Sequence, residues 1–160
     1  MNGTRIIVGV ATVCIALLGV TPQLQAQQKL MGKGYVTYTP VSSETIELAD
    51  GSMLMRNTNT GMIVGQSQKN PFDQSAQTCS GSYLVAADGS TRAAGYCEGM
   101  DAAGDVWWIW WSGTAEGGNW GILGGTGKFK GLEGGGTYSP QPPYPDGKFI
   151  NNWEGSWTRK

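Results

Sequence analysis

The chain has 160 residues, including 26 glycines and 7 tryptophans, and its formal net charge is −1 at neutral pH. Because it contains no histidine, histidine-based triads, histidine metal ligands and histidine proton shuttles are excluded. The balanced charge argues against a nucleic-acid-binding protein, which usually carries a basic stripe, and 3 cysteines cannot complete a Cys-only zinc site. We therefore expect one domain that uses neither a metal nor another cofactor.

Residues 1–26 have the three-part pattern of a secretory signal peptide. A single cation, Arg5, precedes an apolar run, and Ala26 is a small residue before the expected cleavage point. The run has about 15 apolar residues, fewer than the roughly 20 that cross a bilayer as a helix, so a retained anchor is the weaker alternative. Cys14 would leave with this segment. We expect a mature domain over residues 27–160 that is secreted or periplasmic and not attached to a membrane.

Short β-like runs recur along the rest of the chain, and no stretch after residue 30 keeps a helical apolar period over three turns. Short turns rich in glycine and aspartate separate the runs, which indicates antiparallel neighbours. The pattern predicts an all-β fold, namely a small closed antiparallel barrel of about eight strands in meander order, with an open sandwich as the alternative. The predicted strands are residues 33–39, 44–48, 52–58, 61–66, 78–86, 90–99, 105–113, 119–124, 133–139 and 148–158.

Two segments interrupt this regular pattern. Residues 68–77 are polar and contain a proline, so they predict a long loop. Residues 140–147 are dense in proline and should be extended, stiff and unpaired. The second segment is either a lid over a cavity or a spacer before the last strand, and the spacer is favoured.

The two cysteines beyond the leader are placed to form a disulfide. A three-residue hairpin loop with Gly89 in the left-handed conformation pairs Ala86 with Ser90. Counting outward along both strands, Cys79 then lies opposite Cys97. An even pair of cysteines in an exported protein is usually bonded, and two independent buried thiols are the alternative.

The run DVWWIWWSG places tryptophan on both faces of one strand. Because side chains alternate along a strand, Trp107, Ile109 and Trp111 face one way, and Trp108 and Trp110 face the other. A small barrel normally exposes one face to water. The outer pair is therefore covered by a loop or by a partner, such as a second copy of the chain, or it forms an adhesive surface. A carbohydrate-stacking surface is a further, less favoured alternative.

The last predicted strand carries a second aromatic face, formed by Phe149, Trp153 and Trp157. Large rings inside a small barrel either fill it or line a pocket for a small apolar or aromatic ligand. The candidate ligand-binding residues are Trp107, Trp111, Phe149, Trp153, Trp157 and Tyr83.

The glycine-rich segment GGTGKFKGLEGGGTYS does not have the spacing of a nucleotide-binding loop. In a P-loop, a serine or threonine follows Gly-Lys, whereas here Phe129 follows Lys128. The dinucleotide pattern also fails, because Gly131 comes one residue late and no βαβ unit surrounds the segment. A phosphate-binding role is therefore disfavoured.

The same segment resembles the signature of the allene oxide cyclase-like barrels, a superfamily that includes the dirigent proteins. The residues that carry the resemblance are Gly124, Gly125, Gly127, Phe129 and Gly131. The resemblance implies a tight turn in which Phe129 plugs the barrel and the glycines allow a close approach to the next strand. It also implies an activity such as ring closure or the guidance of a radical coupling, and assembly into a homo-oligomer. No catalytic residue is implied, since the polar cavity residues of the family match no motif position here.

Charged side chains give no clear catalytic set. Glu98, Asp105 and Arg56 could each point into a cavity, but a solvated strand face or loop is the more typical location. The favoured function is an exported barrel that binds a small apolar or aromatic molecule in an aromatic-lined cavity. One alternative is a cofactor-free cyclase, isomerase or coupling protein, and another is a structural barrel that docks a partner through exposed tryptophan.

Overall fold

The computed structural model describes residues 29–66 and 70–160, and the predicted signal peptide lies outside them. Eight antiparallel strands follow one another around a closed barrel, with β8 paired to β1. Among the described residues, none belongs to a helix that is long and apolar enough to span a membrane. The strands are β1 (Leu30–Glu47), β2 (Met53–Gly65), β3 (Ala76–Val85), β4 (Thr91–Met100), β5 (Val106–Thr114), β6 (Gly117–Gly125), β7 (Leu132–Pro140) and β8 (Phe149–Arg159).

The prediction of a closed meander barrel is confirmed, and the open sandwich is wrong. Ten predicted runs become eight strands because the first four runs merge into β1 and β2. The register of this hairpin shifts between Pro40 and Ser42, so a bulge absorbs the proline, which has no N–H to donate. Pairing then continues as far as Glu47 and Met53.

The connections between strands lie alternately at the two ends of the barrel. The β2–β3, β4–β5 and β6–β7 connections share one end, called here the closed end. The β1–β2, β3–β4, β5–β6 and β7–β8 connections share the other, called the open end. Buried aromatic side chains seal the closed end.

The proline-dense segment departs from its prediction at both ends, since residues 144–147 form a turn in which the N–H of Gly147 donates to the carbonyl of Tyr144 at 2.9 Å. Pro140 still pairs with Asn151, and the N–H of Gln141 donates to the carbonyl of Ile150 at 2.7 Å. These two residues therefore extend the β7–β8 ladder, and the prediction of an unpaired segment is wrong for them. A proline can end a ladder in this way because its carbonyl still accepts a hydrogen bond.

Glycines on the inner face make room for the tryptophan rings. A methyl group built on Gly99 would come within 2.1 Å of the Trp107 ring, and one built on Gly81 within 2.2 Å of the Trp111 ring. Gly155 has the same relation to Trp120, at 2.4 Å. Each of these rings lies where a neighbouring strand has no side chain, so the glycine and tryptophan contents are two parts of one packing arrangement.

Candidate functional site

A cavity of about 90 Å³ occupies the barrel interior. The buried rings of Phe72 and Trp107 close it at the closed end, and it reaches solvent at the open end, where the lining residues Tyr83 and Phe149 are half-buried. Its wall is mostly aromatic and aliphatic. The lining residues are Val36, Tyr38, Asn59, Ile63, Phe72, Gln77, Cys79, Tyr83, Cys97, Trp107, Ile109, Trp111, Trp120, Tyr138, Phe149, Asn151 and Trp153.

Five of the six candidate ligand-binding residues line this cavity, and Trp157 does not. Trp157 is only 1% exposed and lies deeper, against Phe72, with ring centroids 5.7 Å apart and planes at 85°. It therefore belongs to the packed core. The five that line the cavity are Tyr83, Trp107, Trp111, Phe149 and Trp153.

A hydrogen-bonded pair of polar side chains lies on the cavity wall. Gln77 donates from Nε2 to the hydroxyl of Tyr38 at 2.7 Å, and that hydroxyl is 3.5 Å from Sγ of Cys79. The ring of Phe149 stacks on Tyr38 with centroids 4.8 Å apart. Burial raises the pKa of Tyr38 well above its usual value, so the hydroxyl stays protonated.

Two more tyrosines flank Trp111 nearer the open end. The ring centroids of Tyr83 and Tyr138 lie 5.6 Å and 6.5 Å from that of Trp111. Burial raises the pKa of Tyr138 to about 12, with the nearby Tyr83 as a second cause, and burial also raises the pKa of Tyr83. Both phenols are therefore neutral hydrogen-bonding groups at ordinary pH.

None of the described residues that line the cavity carries a charge. Glu98 and Arg56 are exposed, and Arg56 lies 3.9 Å from Glu44 on the outer surface. Asp105 lies at the closed end, where it accepts the backbone N–H of Lys128 at 2.9 Å. The charged side chains that the sequence left open as cavity candidates are therefore placed outside it.

The disulfide between Cys79 and Cys97 is confirmed, and independent thiols are wrong. The two residues are direct cross-strand partners in β3 and β4. The turn has the predicted form, with Gly89 at a φ of 83° and a hydrogen bond of 2.9 Å from Ala86 N–H to the Ser90 carbonyl. Both sulfurs face the cavity, so the bond forms part of its wall.

The glycine-rich connection seals the closed end. Residues Gly127–Phe129 form a 3₁₀ turn, and Phe129 is fully buried. A methyl group on Gly125 would come within 2.5 Å of Cβ of Phe129, so a glycine lets the turn fold against its own strand. Positive φ angles occur at Gly124, Gly127 and Gly131. Lys128 fixes the turn through an ion pair of 2.8 Å with Asp101.

Four aromatic residues that line the cavity were not among the sequence candidates. Trp120 and Tyr138 follow the same alternation as the named rings, so their strand positions contained the signal. Tyr38 is likewise an inward position of β1. Phe72 had no such signal, because it lies in the segment predicted as a polar loop. A turn there, in which the Asn70 side chain accepts the N–H of Phe72 at 3.1 Å, places the ring inside the barrel.

The fold is shared with solved proteins. The structure of the pterocarpan synthase dirigent protein GePTS1 matches this chain with a TM-score of 0.52 and 10% sequence identity, and the match covers 91% of this chain and 99% of GePTS1. The structure of the pterocarpan synthase dirigent protein PsPTS1 matches with a TM-score of 0.53 and 10% identity, and the match covers 84% of this chain and 97% of PsPTS1. The chain has the dirigent-like barrel fold.

No family model matches the sequence, and no curated protein matches it significantly. Similarity to dirigent proteins at this identity concerns architecture, and one barrel supports many functions.

Proposed function

We propose that this dirigent-like barrel binds one small uncharged molecule that contains a ring and enters from the open end. The observation that carries the proposal is the composition of the cavity wall, which combines aromatic rings with neutral hydroxyl and amide groups. An ion would lose its hydration there without meeting an opposite charge. A neutral ring would bury apolar surface and could still hydrogen-bond to a tyrosine or an amide.

The size of the cavity limits how the molecule is held. The volume of about 90 Å³ is below the roughly 150 Å³ of an engineered apolar cavity that binds benzene. One ring at most would therefore lie within the barrel, with its remaining atoms at the open end. Tyr83 and Phe149 line the cavity and are only half-buried, which places them to contact such a ring.

Binding and orientation fit the cavity better than acid–base catalysis. The titratable groups on its wall are phenols whose pKa values are raised, so they are poor bases at neutral pH. A coupling or ring-closing role is the second candidate, favoured by the fold shared with two pterocarpan synthase dirigent proteins. Such a role would rest on the shape of the cavity and on hydroxyl donors. The leader pattern and the disulfide support export.

A matched set of ligands tests the proposal. Benzyl alcohol, benzoate and benzylammonium have similar shapes and differ in charge, and their binding can be followed by tryptophan fluorescence and by NMR of the indole N–H signals. We expect saturable binding of benzyl alcohol alone. Replacing the cavity residue Ile109 with phenylalanine should abolish it by filling the space. The matched control, Leu123→Phe, changes an outward side chain that is 57% exposed and should bind normally.

Binding of benzoate or benzylammonium as tight as that of benzyl alcohol, no binding of any compound, or unchanged binding by Ile109→Phe would each overturn the proposal. The coupling role has its own readout. A phenol treated with a one-electron oxidant should give an optically active product with the wild-type protein and a racemic one with Ile109→Phe. A racemic product in both reactions would remove the coupling role and leave simple binding.

A further inference from the structure

A row of five side chains crosses the outer surface of the first five strands. The registers place Ser42 opposite Thr58, Thr58 opposite Ser80, Ser80 opposite Tyr96, and Tyr96 opposite Trp110. The hydroxyl oxygens of Thr58 and Ser80 are 3.0 Å apart. The row therefore passes from three hydroxyl groups to two aromatic rings within one sheet.

Both rings of the row are open to solvent. Tyr96 is 66% exposed and Trp110 is 37% exposed. The indole of Trp110 lies over Gly121 on the next strand, since a methyl group built there would come within 2.4 Å of its Nε1. The glycine lets the ring lean across the sheet. On its other side, Tyr96 borders a shallow groove that runs across small residues to Arg56.

We propose that this row binds an extended, uncharged β-1,4-linked glycan that lies across the strands. Neighbouring strands are about 4.8 Å apart, which is close to the length of roughly 5 Å that each sugar adds to such a chain. Successive sugars would therefore meet successive strands. The apolar C–H faces of the sugars would stack on Tyr96 and Trp110, and their hydroxyl groups would bond to Ser80, Thr58 and Ser42.

The chemistry of the row favours a glycan over other occupants. A nucleic acid or an acidic polysaccharide would need several cations, and Arg56, the cation that borders the groove, already lies 3.9 Å from Glu44. An apolar protein surface would bury the row's hydroxyl groups without new partners, at a cost in free energy. A neutral polyol with apolar faces matches both the rings and the hydroxyl groups.

The glycan site and the cavity are on opposite faces of the same strands. Ser80 and Tyr96 point outward, whereas the neighbouring residues Cys79 and Cys97 line the cavity. The proposed glycan site therefore does not depend on the ligand-binding role of the interior. A variant that fills the cavity should leave glycan binding unchanged.

Isothermal titration with cellohexaose tests the site, with maltohexaose as the α-linked, curved control. We expect cellohexaose to bind and maltohexaose to bind at least tenfold more weakly. Tyr96→Ala and Trp110→Ala should each weaken cellohexaose binding at least tenfold. Tyr144→Ala should not, because Tyr144 is 54% exposed but borders β1, three strands away from Tyr96 on β4. Ile109→Phe should bind cellohexaose normally.

Three results would overturn the glycan site. The first is no heat and no shift of the Trp110 indole N–H signal at millimolar cellohexaose. The second is equal affinity for the two hexasaccharides, or affinity that neither substitution changes. The third is a dimer in sedimentation that Trp110→Ala dissociates, since the occupant of the surface would then be a second copy of the chain.

Discussion

Phe72 and Phe129 meet beneath the cavity with their ring centroids 5.3 Å apart, although they come from two different connections of the closed end. Phe72 also stands edge-on to Trp107, with centroids 5.4 Å apart and planes at 86°. Two connections far apart in the chain therefore seal one end of the barrel together. The seal leaves the open end as the route into the cavity.

Loss of the Phe72 ring should destabilise the protein strongly. The side chain is 4% exposed, and replacing such a phenylalanine with alanine usually costs about 3–5 kcal/mol of unfolding free energy. Phe149→Ala is the matched control, because Phe149 is only half-buried and should cost less. Urea denaturation followed by fluorescence measures both. An equal cost for the two variants would show that Phe72 is not a core residue.

The disulfide should contribute to stability and leave no free thiol in the processed chain. Replacing Cys79 and Cys97 together with alanine should lower the unfolding free energy by about 2–4 kcal/mol in guanidinium denaturation. Thiol titration of the denatured, unreduced protein that begins at Gln27 should detect none. Detection of two thiols would contradict the bond.

Acid should weaken the closed end through Asp101. The Lys128 ammonium holds the pKa of the Asp101 carboxyl below its usual value, and backbone N–H groups of the β4–β5 turn add to this effect. The stabilisation is complete above the ordinary pKa of about 4 and disappears as the pH falls through the lowered value. Asp101→Asn should therefore have a lower Tm at pH 7 and a smaller loss of Tm on acidification than the wild type. Parallel curves of Tm against pH would refute this assignment.

Alkali should destabilise the fold by ionising the cavity tyrosines. The pKa of Tyr138 is about 12 in the folded protein against 10.0 for a free tyrosine. The neutral phenol therefore contributes fully to the stability of the fold below pH 10, and this contribution is lost as the pH rises towards 12. Tyr138→Phe should raise the midpoint of alkaline unfolding, measured by circular dichroism. Tyr144→Phe, on an exposed connection, is the control and should not. An unchanged midpoint for Tyr138→Phe would count against a raised pKa.

Local patterns in the sequence were sufficient for the architecture. Turn residues and period-two alternation depend on near neighbours in the chain, so they predicted the closed meander, the disulfide register and the opposite faces of Trp107 and Trp108. Alternation cannot distinguish a lining residue from a core residue on the same face. Alternation therefore places Trp157 with the lining residues, although its ring packs on Phe72 below the cavity.

Contacts between distant segments required the tertiary structure. Phe72 became part of the floor because a turn aims it inward, and no periodicity in its own segment predicts this. Few polar residues lie near Trp110 along the chain, so the sequence alone disfavoured a sugar-stacking surface. Strand registers bring Thr58 and Ser80 into its row.

The glycine and tryptophan counts, visible from the start, determined that the chain is rich in turns and large rings. The folded barrel decided how they are matched, with Trp107 packed on Gly99 and Trp111 on Gly81 and Gly95. The physical reason is that a large ring fits inside the barrel only where the neighbouring strand has a glycine. The strand register decides which glycine faces which ring. Composition supplies the glycines and the tryptophans, and the strand register decides which ring packs on which glycine.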